Sequence, residues 1–161
     1  MPTFRRTTVV DAPLEDVWTF HSTIDGLRAL TPSWSGLVID SIVGPDGTPD
    51  PATLAVGTTI EMRVHPLGVL PGPRWTSEIT RRERDDDEAV FVDTMFDGPF
   101  ETWEHTHRFL AAGAETVVDD RLEYALPRST ALLTPGVHAG IAGLFAYRHA
   151  RTRSLLDASA E

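Results

Sequence analysis

The sequence predicts an α+β protein in which a curved, antiparallel, seven-stranded sheet wraps around one long C-terminal helix. Three observations support this prediction. Seven segments within the first 125 residues alternate between polar and apolar side chains or are rich in β-branched residues, as strands are. Two short segments with helical spacing follow the first of these strands. The last quarter of the chain has a single helical period, and an amphipathic helix must bury its apolar stripe against the sheet.

Length and composition indicate one soluble domain. The 161 residues suit a single unit, so we expect residues 1–161 to form one domain. A hydrophobic content of 41% with 24% charged residues is ordinary for a globular protein. The longest apolar run, around 141–147, is too short to span a bilayer, and the chain does not open with a signal-peptide pattern. We therefore expect a cytoplasmic protein without membrane insertion.

The charge and the cysteine count exclude some classes of function. The formal net charge of −10 argues against a nucleic-acid partner, because such partners are held by basic side chains that neutralise phosphates. The chain has no cysteine, so disulfides and thiolate metal sites are excluded.

The N-terminal half predicts one strand, two short helices and three further strands. β-branched residues indicate a strand over Thr3–Val10, and Pro13 suits the first position of the helix that follows. A second short helix is expected over 24–30, before Pro32. The next strands are expected over Leu37–Val43, over Thr58–Val64 and around 75–79, separated by loops rich in Pro and Gly.

The C-terminal half predicts three strands and the long helix. A charged turn over 83–88 precedes a strand over Ala89–Phe96, and two more strands are expected over 102–109 and 116–124. Thr134 suits the cap of a helix that runs to about Asp157. The apolar stripe of this helix is expected at Val137, Ile141, Leu144, Phe145 and Leu155. Three glycines in its first half, Gly136, Gly140 and Gly143, suggest close backbone approach, local irregularity or a vacancy beside the helix.

The sixth predicted strand has an unusual inner face. Its alternation places Trp103, His105, His107 and Phe109 on one side, with two imidazoles between two aromatic rings. On the seventh strand, Asp120 is expected to share this inner face. A buried carboxylate beside an imidazole raises the pKa of that imidazole and fixes its tautomer, as in a general base. The alternative is that these groups only satisfy one another inside the core.

Motifs along almost the whole chain carry a family resemblance. The residues concerned are Ala12-Pro13 with Val17-Trp18-x-Phe20-His21, Leu27, Leu30-Thr-Pro32, Gly57 with Ile60, Trp75 with Ile79, Phe91-Val-Asp93, Gly98-Pro-Phe-x-x-Trp103-x-His105-x-His107-x-Phe109 and Thr116-x-x-x-Asp120-x-x-x-Tyr124-x-x-Pro127. Together they resemble the START-like superfamily, also called SRPBCC or polyketide cyclase/dehydrase-like, and within it the ligand-binding SRPBCC domain group. The resemblance implies a helix-grip fold with a deep cavity between sheet and long helix for apolar or amphipathic small molecules. It supplies no catalytic residue set.

These observations lead to one candidate site. The candidate catalytic residues are His105, His107 and Asp120. The predicted ligand-binding residues are Trp75, Ser77, Phe96, Trp103, His105, His107, Asp120, Tyr124, Ile141 and Phe145. The His-x-His pattern also suits a metal, with Asp120 as an available third ligand. Because the resemblance implies none, we expect no metal and no cofactor.

Three functions remain open at this point. The first is a protein that binds a small apolar or aromatic molecule in an internal cavity. The alternative is an enzyme of cyclase or dehydratase type that uses a His/Asp acid–base pair. A third possibility is a regulatory protein that binds a protein partner through its sheet edge or loops, and a homodimer is also left open. Whether the protein is an enzyme is not decided by the sequence.

Overall fold

A computed structural model of the chain describes residues 1–157. It contains seven strands, three helices and three short 3₁₀ turns over 33–35, 66–68 and 128–133. The strands are β1 (Thr3–Val10), β2 (Leu37–Val43), β3 (Thr59–Val64), β4 (Arg74–Arg84), β5 (Glu88–Phe96), β6 (Thr102–Ala112) and β7 (Glu115–Ala125). The helices are α1 (Leu14–His21), α2 (Ile24–Ala29) and α3 (Thr134–Leu156).

The strands form one antiparallel sheet in the order β1-β7-β6-β5-β4-β3-β2. Strands β2 to β7 each pair with their neighbours in sequence, and β1 pairs with β7. Helices α1 and α2 therefore connect the two edge strands of the sheet. The pairing register shifts once between β2 and β3 and once between β4 and β5, and irregularities of this kind bend a sheet. The predicted fold class and the helix-grip arrangement are confirmed.

The long helix α3 differs from prediction at its start and in one residue of its buried face. Its N-cap is Leu133, and the Thr134 hydroxyl donates to the Ala131 carbonyl oxygen 2.7 Å away, because the preceding 3₁₀ turn runs directly into the helix. The predicted cap at Thr134 is wrong. Leu155 was also expected in the stripe, but it is 41% exposed. The buried face follows the helical period through Ile141, Phe145, His149 and Thr152.

The three glycines of α3 do not mark a close packing contact. A methyl group placed on Gly136, Gly140 or Gly143 would meet no atom within 4 Å. These positions are exposed, so close backbone approach does not explain them. A contrasting case is Gly26 in α2, where a methyl group would lie 1.9 Å from the Phe20 carbonyl oxygen. At that position glycine permits the close turn from α1 into α2.

Two apolar clusters pack against the inner face of the sheet. One surrounds α1 and includes Val17, Trp18 and Phe109. The other joins α3 to β1 and β7 through Phe4, Tyr124, Ile141, Phe145 and Leu122.

The stretch from Arg128 to Leu156 is the one helical segment in residues 1–157 with the length and apolar composition of a membrane span. In the folded chain Ile141 and Phe145 of this segment pack against the sheet, while most of the segment is not buried. The absence of membrane insertion stays a prediction.

Candidate functional site

A cavity of about 340 Å³ lies between the sheet, α2 and α3. Apolar side chains form most of its wall, among them Leu27, Ile60, Met62, Phe91 and Leu144. The polar side chains in the wall are His21, Thr31, Ser35, Ser77, Asp93, His105, His107 and Arg148. Mostly apolar walls with a few polar groups are typical of small-molecule sites of this size.

Most of the predicted ligand-binding residues lie at the cavity or directly behind its wall. Six of them line it: Trp75, Ser77, Trp103, His105, His107 and Phe145. Asp120 is buried behind the two histidines, which it contacts. Tyr124 and Ile141 are buried in the cluster beside α3, where the Tyr124 hydroxyl lies 2.9 Å from His138 Nδ1. The role of these residues in ligand binding stays a prediction.

The placement of Phe96 on the inner face is wrong. This residue is 46% exposed on the outside of β5. The inner face of this strand carries the odd-numbered residues Phe91, Asp93 and Met95, which line the cavity, and an even-numbered neighbour must point the other way.

Two carboxylates enclose the two histidines of β6. His105 Nε2 donates to Asp120 Oδ1 at 2.9 Å, and His107 Nδ1 lies 2.8 Å from the same oxygen. On the other side, His105 Nδ1 and His107 Nε2 lie 3.5 and 3.4 Å from Asp93 Oδ2. His149 on α3 contributes a third imidazole, whose Nε2 donates to Asp120 Oδ2 at 2.6 Å. Asp120 therefore contacts three imidazoles.

The strand register produces this arrangement. Asp93 on β5 lies directly opposite His105, and Asp120 on β7 lies directly opposite His107. Residues opposite each other on one face have their Cβ atoms about 4.5–5.5 Å apart, so short polar side chains can meet. The helix α3 then brings His149 against Asp120 from above the sheet.

The enclosure changes the protonation of the cluster. Burial alone would lower the pKa of His105, but its hydrogen bond to Asp120 and its contact with Asp93 raise that pKa to about 9. Burial alone would raise the pKa of Asp93, and its contacts with His105 and His107 instead hold it below its usual range. The pKa of Asp120 is likewise held well below its usual value, against the effect of burial, by the charge of His107 and by its hydrogen bonds to the imidazoles. Both carboxylates are therefore ionised at neutral pH.

Arg148 is the second charged feature of the cavity. Its guanidinium lies 5.8 Å from the centre of the Phe145 ring, and among the described residues it has no hydrogen-bond or ion-pair partner. Burial lowers its pKa, which Asp120 and Asp93 partly offset. A guanidinium nevertheless stays charged in proteins, so a positive charge faces the cavity without a direct partner.

Three residues of this site were not identified from the sequence. Asp93 is two residues from Phe91 and therefore points to the same face of β5. Its contact with the histidines depends on the pairing of β5 with β6 in a particular register, which the sequence does not show. His149 and Arg148 depend on how α3 is rotated about its axis. The structure turns Arg148 into the cavity.

One subset of the cluster could hold a metal ion. Asp93, His105 and His107 offer three ligand atoms that all lie within 4.8 Å of one another. Asp120, the third ligand considered from the sequence, instead contacts the opposite nitrogens of the two rings.

Solved structures share this fold at low sequence identity. A truncated norcoclaurine synthase from Thalictrum flavum matches with a TM-score of 0.67 and 20% identity, over 98% of this chain and 95% of that one. A protein from Thermus thermophilus matches with a TM-score of 0.62 and 22% identity, over 96% of this chain and 99% of that one. A protein from Chromobacterium violaceum matches with a TM-score of 0.68 and 13% identity, over 98% of each chain. Structural matches at such low sequence identity establish only the fold.

The sequence itself identifies the family. Among curated proteins none matches the chain. The sequence model of the family described as "Polyketide cyclase / dehydrase and lipid transport" matches residues 10–142, which include α1, α2, all strands from β2 to β7 and the start of α3. The chain therefore belongs to the polyketide cyclase / dehydrase and lipid transport family.

Proposed function

We propose that the protein binds a small amphipathic molecule, with the apolar body of the molecule in the cavity and an anionic group paired with Arg148. The observation that carries this proposal is a guanidinium without a partner among residues 1–157, in the wall of an apolar cavity of about 340 Å³. A molecule with one or two aromatic rings suits this volume. One norcoclaurine synthase structure is described as a complex with dopamine and hydroxybenzaldehyde, so a protein of this fold accepts small aromatic molecules.

The anionic group follows from the cost of partly removing an unpaired charge from water, because Arg148 is half-buried in a largely apolar cavity wall. A buried charge is strongly unfavourable unless it is paired or hydrogen-bonded. No carboxylate of the described part of the chain pairs directly with Arg148, although Asp93 and Asp120 are close enough to influence its pKa. A carboxylate, phenolate or enolate on the ligand would supply the missing partner, and the planar guanidinium suits a bidentate pair.

A matched pair of ligands tests this proposal. We expect naphthalene-2-carboxylate to bind about tenfold or more tightly than naphthalene-2-carboxamide, because hydrogen bonds to charged groups contribute about 1.5–3 kcal/mol. Replacing Arg148 with Gln should abolish this preference and leave the carboxamide affinity nearly unchanged. Isothermal titration calorimetry at neutral pH measures all four affinities.

The control is Arg151→Gln, which removes an exposed arginine one turn further along the same helix. This variant should keep the preference for the carboxylate. If both compounds bind equally well to the unmodified protein, the pairing with Arg148 is wrong while the cavity remains a binding site. If neither binds at millimolar concentration, the small-molecule proposal itself is contradicted for aromatic ligands of this size.

A second candidate is an enzyme of cyclase or dehydratase type. It is favoured by the 2.9 Å hydrogen bond between His105 and the buried carboxylate of Asp120 at the cavity wall. An imidazole held in this way can exchange a proton with a bound molecule, and such transfer typically accelerates a reaction by about 10²–10⁴-fold. In a dehydration, a base would remove a proton beside a ketone and an acid would protonate the departing hydroxyl as water.

Dehydration of 4-hydroxy-4-phenylbutan-2-one to the conjugated enone tests this candidate, because the product absorbs in the near ultraviolet. We expect His105→Gln to lower kcat by at least about 100-fold and His65→Gln, outside the cavity wall, to leave it unchanged. Turnover that survives both His105→Gln and His107→Gln would rule out this mechanism.

A further inference from the structure

Three polar atoms on β5 and β6 lie within 4.8 Å of one another, and the one from Asp93 is farther from both imidazole nitrogens than in an ordinary hydrogen bond. Asp93 Oδ2 lies 3.5 Å from His105 Nδ1 and 3.4 Å from His107 Nε2. These separations exceed the 2.7–3.2 Å typical of an N–H···O bond. They match the roughly 3.4 Å expected between two ligands of a tetrahedral ion bound at about 2.0–2.1 Å.

The opposite nitrogens of both rings are already fixed. His105 Nε2 and His107 Nδ1 lie 2.9 and 2.8 Å from Asp120 Oδ1. An ionised carboxylate only accepts hydrogen bonds, so the favourable tautomers carry their protons on these two nitrogens. When an ion displaces the proton between a ring and Asp93, as metal binding to an imidazole requires, the neutral ring presents a lone pair on its other nitrogen, towards Asp93. A carboxylate behind a histidine is the usual support of a metal-binding imidazole.

The remaining neighbours leave this point open to a cation. The Ser77 hydroxyl donates to Asp93 Oδ1 at 3.3 Å, which leaves Oδ2 free to bind an ion. From α3, His149 is bonded to Asp120 Oδ2, and Arg148 forms no ion pair with either carboxylate. A divalent ion would balance the charge of the two buried carboxylates. Without an ion or a proton between them, the nitrogen lone pairs and the carboxylate repel each other.

We propose that Asp93 Oδ2, His105 Nδ1 and His107 Nε2 bind one divalent transition-metal ion, whose remaining coordination positions face the cavity. Two imidazoles and one carboxylate are the ligand set of catalytic zinc sites and of non-haem iron(II) sites, both of which keep positions open for water or substrate. Thiolate-preferring ions are not suited, since the chain has no cysteine. This inference is independent of the amphipathic ligand proposed above, because it rests on the polar cluster and not on Arg148.

Cobalt(II) is the probe, because its visible absorption reports ligand number and geometry. The untagged full-length protein is dialysed against EDTA, freed of the chelator and titrated with CoCl₂. We expect visible absorption bands of a four- or five-coordinate ion that saturate at one equivalent, and displacement of cobalt by one equivalent of Zn²⁺. Absorption that remains that of hexaaqua cobalt would overturn the proposal.

Matched variants locate the ion. Asp93→Asn keeps the shape of the side chain and should weaken Co²⁺ binding by at least about 100-fold. Asp120→Asn removes the carboxylate behind both rings and should weaken it by about 10–100-fold. The control His65→Gln removes a histidine outside the cluster and should leave binding unchanged. Equal binding by the unmodified protein and by Asp93→Asn would place any ion elsewhere and overturn the assignment.

A measurement on the unmodified protein guards against variants that fail to fold. Bound Co²⁺ is paramagnetic, so it should shift the ring protons of two histidines far outside the normal proton NMR range. The exchangeable ring N–H signals of His105 and His107 should be among them, because Asp120 shields these protons from solvent. A one-equivalent complex without two such shifted N–H signals would contradict the proposed ligands.

Discussion

Replacing Asp120 with alanine is expected to lower the free energy of unfolding by about 3–5 kcal/mol, the usual cost of removing one partner from a buried charged group. Asp120 is 4% exposed and contacts the imidazoles of His105, His107 and His149 at 2.6–2.9 Å. Without it, three buried rings lose their common acceptor, and no other described carboxylate reaches all three. Urea unfolding, followed by tryptophan fluorescence and by circular dichroism, measures the change.

Asp119 provides the matched control for this experiment. It is the preceding residue on β7, points to the opposite face of the sheet and pairs with the exposed Arg5 at 2.8 Å. Asp119 is only 7% exposed and also accepts from the Thr7 hydroxyl at 2.9 Å, but Arg5 and Thr7 are both exposed, so Asp119→Ala leaves no buried group unpaired and should cause a smaller loss. Equal losses in the two variants would show that the cluster around Asp120 is no more important for stability than the pair of Asp119 with Arg5.

Replacing Phe145 with alanine is expected to lower the free energy of unfolding by about 3–5 kcal/mol, as for other large aromatic side chains in protein cores. Phe145 is 2% exposed and packs against Phe4 at 5.3 Å and edge-on against His105 at 4.9 Å between ring centroids. Its removal would enlarge the existing cavity and loosen α3 from the sheet. Urea unfolding measures this loss as well.

The control for Phe145 is Tyr147→Ala on the outer side of the same helix. Tyr147 is 38% exposed, so its truncation should cost much less. A similar loss in both variants would mean that helix propensity, and not packing on the sheet, determines the effect. The Phe145 variant should also bind naphthalene-2-carboxylate differently, because the ring lines the cavity beneath Arg148.

The metal proposal and the acid–base candidate make opposite predictions. A metal ion at His105 Nδ1 and His107 Nε2 would occupy nitrogens that face Asp93 at the cavity wall, so these nitrogens could not take part in proton transfer. Activity that is lost on treatment with EDTA and restored by Zn²⁺ would favour the metal. Activity that is unaffected by EDTA and lost in His105→Gln would favour the acid–base pair.

The sequence by itself predicted the fold class and the inward histidines. Alternation with a period of two is a local property, because successive side chains of a strand point to opposite faces whatever the strand packs against. Trp103, His105 and His107 could therefore be placed on one face from the chain alone, and so could Asp120 on its own strand. Phe96 was misplaced because its apolar character was followed instead of this rule, by which its even number on β5 requires the outer face.

Only the tertiary structure decided how the site is completed. Asp93 joins the histidines because the pairing of β5 with β6 places it opposite His105, and strand register depends on contacts between distant segments. Arg148 and His149 join because α3 is rotated so that Ile141, Phe145 and Thr152 are buried, which carries these two charged or polar residues inward. The sequence near the end of the helix does not show which of its polar residues face inward, because packing against the sheet sets the rotation of the helix.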